Sequence, residues 1–281
     1  MNKKNILITG CSSGFGKRTA YFLREKGWYV YATARREENV QSLKKEGFNS
    51  FRLDLASSQS IKDAVAKILE HAEGNLTALM NNAGYSQIGA IEDLSRDSIR
   101  DQFEVNVFGT MELTSMLIPI MRKQGYGKII FISSVNGRFT FPFFGAYCAS
   151  KYAIESFCDA LRREMRGTKI FITAIEPGLF KTNSVQNAEC VFFKNIDQKE
   201  SVHRQTYQKI FGNFQNAMKK IPEEKTTLIA KTVYKVLQDK KPQSRIIVPK
   251  ASMIYEIAHR FLPDYLQDYL YFMKLRYLDR I

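Results

Sequence analysis

The chain has 281 residues, 44% of them hydrophobic and 25% charged, with a formal net charge of +14. That suits one large α/β domain, or two small ones, with ample chain for a core. No run of about eighteen apolar residues occurs, which excludes a spanning helix. The start, MNKKNILITG, enters a strand at once and leaves no room for a signal peptide. Cys11, Cys148, Cys158 and Cys190 have no metal-ligand spacing, so no metal site is expected and a reduced, cytoplasmic protein is the simplest reading. The positive charge fits an anionic cofactor or an anionic membrane surface. Zinc-finger spacing and RNP-like stretches are both missing, so no nucleic-acid partner is expected.

In chain order, KNILITG (4–10) predicts a strand and residues 15–26 a helix ending before Gly27. WYVYATA (28–34) and NSFRLDL (49–55) predict two more strands, with a helix over 37–46 between them. Ser57 or Ser58 caps the next helix. LTALMNNAG (76–84) predicts a strand and turn, residues 97–123 a long helix, GKIIFISS (127–134) a strand and residues 146–165 a helix. KIFITAIEPG (169–178) predicts the sixth strand. Repeated βα units imply a single doubly wound parallel sheet of Rossmann type, with helices on both faces and its site at the strands' carboxyl ends. Residues 183–225 are polar and weakly periodic, which predicts a mobile loop inserted as a substrate lid. TLIAKTVYKVLQD (227–239) predicts a helix, RIIVP (245–249) a last strand, and 251–281 a helical, aromatic-rich segment.

Two stretches carry chemistry. TGCSSGFG (9–16) follows a strand and opens a helix, with Gly10, Gly14 and Gly16 interleaved with Ser12, Ser13 and Phe15. Such a turn brings backbone amides and the positive end of a helix to an anion. In AYCASKYAI, Tyr147 and Lys151 stand four apart, on one helix face. Tyrosine's ordinary pKa of ~10 is high for acid–base work, and a neighbouring ammonium is expected to lower it. Ser134 closes the preceding strand, where it can bond the same substrate oxygen. Asn106, in FEVNVFG, sits in a helix and can hold a water or the lysine in place.

Together these residues resemble the short-chain dehydrogenase/reductase family, over residues 5 to about 182. TGCSSGFG is similar to that family's TGxxxGxG, NNAG (81–84) to its sheet-stabilising turn, and EPGLFKT (176–182) to its PGxxxT. The resemblance implies a catalytic tetrad of Asn106, Ser134, Tyr147 and Lys151. It also implies a nicotinamide dinucleotide held by Gly10, Ser12, Ser13, Gly14, Phe15 and Gly16. Asp54 and Leu55 are expected at the adenine, and Asn82, Ala83 and Gly84 at the ribose. Tyr147, Lys151, Pro177, Gly178 and Thr182 are expected near the nicotinamide. YATARR has no acid after the second strand, and Arg35, assisted by Arg36, can clamp a 2′-phosphate, so NADP(H) is expected rather than NAD(H).

The motifs look most like the hydroxysteroid and retinol dehydrogenase branch, which implies a bulky apolar carbonyl or alcohol as substrate. The phenylalanines between Ser134 and Tyr147 are Phe139, Phe141, Phe143 and Phe144. Phe141 and Phe144, with Ser134 and Tyr147, are expected to line its pocket. A nucleotide-sensing scaffold, or a nucleotide-sugar epimerase or dehydratase, stays open on the same fold. A homo-oligomer is expected. In the tail, Leu266, Leu270, Met273 and Tyr277 share one helical stripe. It is expected to pack on the domain or on a second subunit, with peripheral membrane contact as the alternative.

Overall fold

Short apolar runs form one parallel sheet. The computed structural model describes residues 4–269 and places β1 at Asn5–Ile8, β2 at Tyr29–Ala34, β3 at Asn49–Arg52, β4 at Ala78–Asn81, β5 at Gly127–Ile132, β6 at Ile170–Pro177 and β7 at Arg245–Val248. Their order across the sheet is β3-β2-β1-β4-β5-β6-β7, with every neighbouring pair parallel. β1 and β4 are buried along their whole length, as strands covered on both faces must be. Between them the winding reverses, which opens a crevice at their carboxyl ends.

The helices are α1 (Gly14–Glu25), α2 (Glu37–Lys45), α3 (Ser58–His71), α4 (Arg96–Phe103), α5 (Thr110–Gln124), α6 (Gly145–Glu164), α7 (Ser184–Asn195), α8 (Arg204–Lys220), α9 (Thr227–Gln238) and α10 (Met253–Phe261). Side chains alternate across a strand, so β1 feeds two cores. Ile6 and Ile8 pack with Leu23 of α1, Leu43 of α2 and Val233 of α9. Leu7 packs on the other face with Ile68 of α3, Leu117 of α5 and Ile154 of α6. Ser57 caps α3 by accepting from the Ser60 amide at 3.3 Å.

The structure adds detail to these expectations and corrects one. The helical stretch expected over 97–123 runs unbroken from Arg96 to Gln124, with a π turn at Glu104–Gly109 between α4 and α5. The helix passes close to the turn after β3: a Cβ on Gly109 would lie 1.8 Å from the Leu55 carbonyl oxygen. The expected loop over 183–225 contains two helices, α7 and α8. In α8, Tyr207, Ile210, Phe211, Phe214 and Met218 repeat at helical spacing, and three of them are buried. Of these, Tyr207, Ile210 and Phe211 join Phe192 of α7, Ile88, Leu94, Phe143 and Phe144 in a third core, set apart from the sheet. The apolar side chains Met253, Ile254, Ile257 and Phe261 of α10 are exposed. Leu270, Met273 and Tyr277 of the expected tail stripe lie outside the described residues, whereas Leu266 is half-buried.

Candidate active site

The Gly-rich turn sits at the crevice because β1 and β4 end side by side. Gly10 and Gly14 adopt φ of +72° and +58°, in the region that favours glycine. A Cβ on Gly10 would come 2.9 Å from the Ala83 Cα, so the two turns touch. Thr9 and Asn82 lock them together. Thr9 Oγ1 accepts from the amides of Asn82 and Ala83, both at 2.9 Å. Asn82 Nδ2 donates to the carbonyls of Thr9 and Gly10 at 2.8 and 3.1 Å.

One cleft of about 1840 Å³ runs from this turn across the carboxyl ends of the strands to α7 and α8. Its wall includes the expected Gly10, Ser12, Ser13, Gly14 and Phe15, together with Arg35, Asp54, Leu55, Asn82, Ala83 and Gly84. Farther along come Ser134, Phe141, Phe144, Tyr147, Lys151, Pro177, Gly178 and Thr182. Two expected residues do not line it. A Cβ on Gly16 would lie 2.3 Å from the Gly10 carbonyl oxygen, so Gly16 lets α1 pack against the turn. Asn106 is buried in the π turn. Its Oδ1 accepts from the Tyr85 amide at 3.1 Å, and its Nδ2 donates to the Tyr85 carbonyl at 3.0 Å and to Ser150 Oγ at 3.2 Å. It staples the cleft wall to α6 rather than contacting Lys151 in a described hydrogen bond.

Helical spacing on α6 places Tyr147 and Lys151 together, the Lys151 Nζ lying 5.8 Å from the Tyr147 ring centre. Lys151 Nζ donates to the Ile132 carbonyl at the end of β5, at 2.8 Å. Burial lowers the Lys151 ammonium to about 8, and Glu155 one turn on pulls the other way. The expectation that Tyr147 is lowered is reversed. Burial raises its hydroxyl, while hydrogen bonds with Ser134 and Ser86 hold the rise back. Ser134 Oγ accepts from the Asn136 amide at 3.1 Å, which fixes it at the cleft.

Arg35 is exposed at the end of β2 and lines the cleft, as does Arg36. Arg36 also pairs with Glu38 at 3.4 Å. Asp54 Oδ1 accepts from the Ala56 amide at 3.1 Å, shaping its own turn.

The phenylalanine loop divides. Phe141, Phe143 and Phe144 line the cleft, whereas Phe139 meets the His259 ring edge-on at 6.3 Å. Phe143 has φ +66°, a strained backbone for an aromatic residue. It is held there between the rings of His203 and Tyr207, at 5.3 and 5.7 Å, and by its carbonyl, which accepts from the Gly89 amide at 2.8 Å. The sequence reading missed Ser86 and Asn136 and the distal wall of Val191, Ile210, Asn213 and Phe214. The helical repeat of α8 was the available signal for that wall; Ser86 carries none.

The cleft can therefore hold a dinucleotide at the glycine end and present a proton donor to a chamber of mixed apolar and polar lining. The glycine end fits an anion. Ser13 at the N-cap of α1 makes no side-chain cap, and no acid stands in the first turn. A Cβ on Gly14 would meet only Thr182, at 3.8 Å. Among the described residues no cluster could hold a metal ion.

Comparison with known proteins agrees with this geometry. A family model described as short chain dehydrogenase matches residues 4–190. The 3-ketodihydrosphingosine reductase of Bacteroides thetaiotaomicron is 32% identical over 276 residues, covering 96% of this chain and 97% of its own. The crystal structure of a short-chain dehydrogenase from Streptomyces avermitilis superposes with a TM-score of 0.78 at 29% identity, covering 99% of this chain and 98% of that one. A single-site variant of the actinorhodin polyketide ketoreductase, solved with NADPH, gives a TM-score of 0.72 at 25% identity, covering 88% of this chain and 95% of that one.

Proposed function

The chain belongs to the short-chain dehydrogenase/reductase family, and on that premise we propose that it reduces a bulky apolar carbonyl compound with NADPH, Tyr147 acting as general acid. An NAD(P)-dependent oxidoreductase working at carbonyl or alcohol groups is what the family supplies; substrate class, cofactor choice and residue roles are the proposal. One observation carries it. A single cleft joins the Gly-rich turn, Tyr147 and a distal lobe where Phe141, Phe144, Val191, Ile210 and Phe214 stand among the polar Asn187, Lys194, Asn213 and Lys220. The aromatic and aliphatic side chains suit the body of a bulky apolar ligand, and the polar ones a polar group at its far end. The Bacteroides relative is named for a ketosphingosine, a substrate of this kind.

Gly10, Gly14 and the first-turn amides of α1 would hold the pyrophosphate. Arg35 would clamp a 2′-phosphate, with Arg36 assisting. Asp54 and Leu55 would meet the adenine, Asn82, Ala83 and Gly84 the ribose side, and Pro177, Gly178 and Thr182 the nicotinamide. The reduced nicotinamide supplies a hydride to the carbonyl carbon.

The protein's own residues handle the oxygen. Ser134 donates a hydrogen bond to it, and Tyr147 passes it a proton as negative charge develops. A tyrosine raised by burial keeps that proton until the substrate needs it. The buried Lys151 ammonium, tethered to the Ile132 carbonyl, favours the phenolate left behind. Asn106 serves by holding the cleft wall in register through Tyr85.

The test is a panel of steroid, retinoid, long-chain and small aromatic carbonyls, read by NADPH and NADH absorbance. Turnover of the bulky apolar members with NADPH is expected. Turnover confined to small polar carbonyls, or equal use of NADH, would overturn the reading.

A further inference from the structure

We propose that α10 docks the protein on an anionic lipid surface, with the mouth of the cleft beside the contact. The proposal deepens the apolar-substrate reading and rests on it for its purpose, since a lipid-phase substrate then has a short route to the cleft.

Two polar residues attach α10 to the domain. Glu256 pairs with Arg138 at 3.6 Å, and His259 meets Phe139. At 100° per residue, Met253, Ile254, Ile257 and Phe261 fall on the opposite side. They are 43, 66, 51 and 72% exposed. A helix anchored by two polar residues that offers four large apolar side chains to solvent marks an interaction site. The chain then continues through Tyr265 and Tyr269, one helical turn apart and both exposed.

Position links the patch to the cleft. A Cβ on Gly178 would lie 2.2 Å from Ser252 Oγ, so the loop after β6 lies against the residue preceding α10. Leu179, next in that loop, is 49% exposed and lines the cleft.

Charge selects the occupant. Lys181, Lys250 and Arg260 are exposed on and beside these segments, while Glu256 is turned inward to Arg138. Asp264 and Asp268, both exposed, begin only beyond Pro263. The remaining sequence adds Lys274, Arg276 and Arg280 against Asp279. Apolar side chains flanked by cations suit an anionic interface. A second copy would fit less well, because a two-fold contact sets the patch against its own image and brings Lys250 and Arg260 towards their counterparts.

Co-sedimentation of the full chain with phosphatidylcholine vesicles, with and without phosphatidylglycerol, tests this without substrate or cofactor. Binding to the anionic vesicles, weakened by salt, is expected. Ile254→Ser/Ile257→Ser should weaken that binding at least ~100-fold, as loss of two buried apolar side chains implies. The melting temperature and the turnover of a water-soluble carbonyl should stay unchanged. Should that variant lose stability, Lys250→Glu/Arg260→Glu provides the same readout through charge. Absent wild-type binding, or binding that survives in both variants, overturns the proposal. So does a wild-type dimer, seen by sedimentation velocity, that the serine variant dissociates while vesicle binding is absent. Failure here leaves the apolar-substrate reading standing, because the carbonyl panel measures that separately.

Discussion

Glu155 of α6 and Glu176 of β6 share one guanidinium: the Nε of Arg245 lies 2.9 Å from Glu155 Oε2 and 3.5 Å from Glu176 Oε1. Arg138 reaches the same two carboxylates at 3.9 and 3.3 Å. Asp159 and Glu256 face these arginines from α6 and α10. Both glutamates are buried, and Glu155 stands one helical turn beyond Lys151. Burial, and next the charge of Glu155, push Glu176 up to about 7, with Arg138 opposing.

An acid raised on folding binds its proton more tightly in the native state. Its contribution is complete below the unfolded value near 4.5 and is lost as pH rises through about 7. Glu176→Gln should flatten the decline in stability across that window and leave the variant about 1–3 kcal/mol more stable than wild type above pH 8, relative to their difference at pH 4. Thermal melts of both proteins from pH 4 to 9 check it; parallel curves would show that folding leaves the Glu176 pKa unchanged.

Tyr147→Phe keeps the ring and removes the proton. Turnover should fall by at least ~10²-fold, with melting temperature and NADPH affinity unchanged. In wild type, carbonyl reduction should decline as pH rises through about 8, where the buried Lys151 ammonium is lost. Single-turnover rates against pH measure both effects, and near-normal turnover in the Phe variant would remove Tyr147 from the mechanism.

Arg35→Asp replaces the proposed phosphate clamp with a repelling charge that can bond a 2′-hydroxyl instead. NADPH binding should weaken by about 1.5–3 kcal/mol, the range for a hydrogen bond to a charged group, while NADH is affected less or improves. Fluorescence titration with both dinucleotides decides it. Unchanged NADPH affinity would make Arg35 an ordinary surface residue.

The helices over 184–220 are proposed as the lid, and Tyr207 is their latch. Its hydroxyl donates to Asp93 Oδ2 and accepts from the Ala90 amide at 2.9 Å. Burial and then the Asp93 bond raise that hydroxyl to about 12. Tyr207→Phe should cost about 1–3 kcal/mol by leaving a buried polar group unpaired and speed hydrogen exchange in α8. In wild type, NADPH with a carbonyl substrate should slow exchange across α7 and α8. Equal exchange with and without ligands would mean that these helices are a fixed wall.

Local chemistry made much of this protein legible in its sequence. Gly10 and Gly14 stand where the backbone needs positive φ, and Tyr147 and Lys151 meet because a helix returns to the same face after four residues. Alternating βα signals likewise sufficed for the parallel sheet, since each reflects a period of neighbouring residues. What depended on distant partners was not legible. Gly16 is small because the Gly10 carbonyl and Asn82 occupy its Cβ space, and Asn106 bonds Tyr85, 21 residues earlier. The rise of the Tyr147 hydroxyl came from burial that only packing creates, against an ammonium effect that spacing alone had favoured. For α10 the spacing puts Met253, Ile254, Ile257 and Phe261 on one side, but which way that side looks is set by Arg138 and Phe139, which meet Glu256 and His259. A helical period fixes which residues share a face; only the tertiary contacts decide which way that face looks.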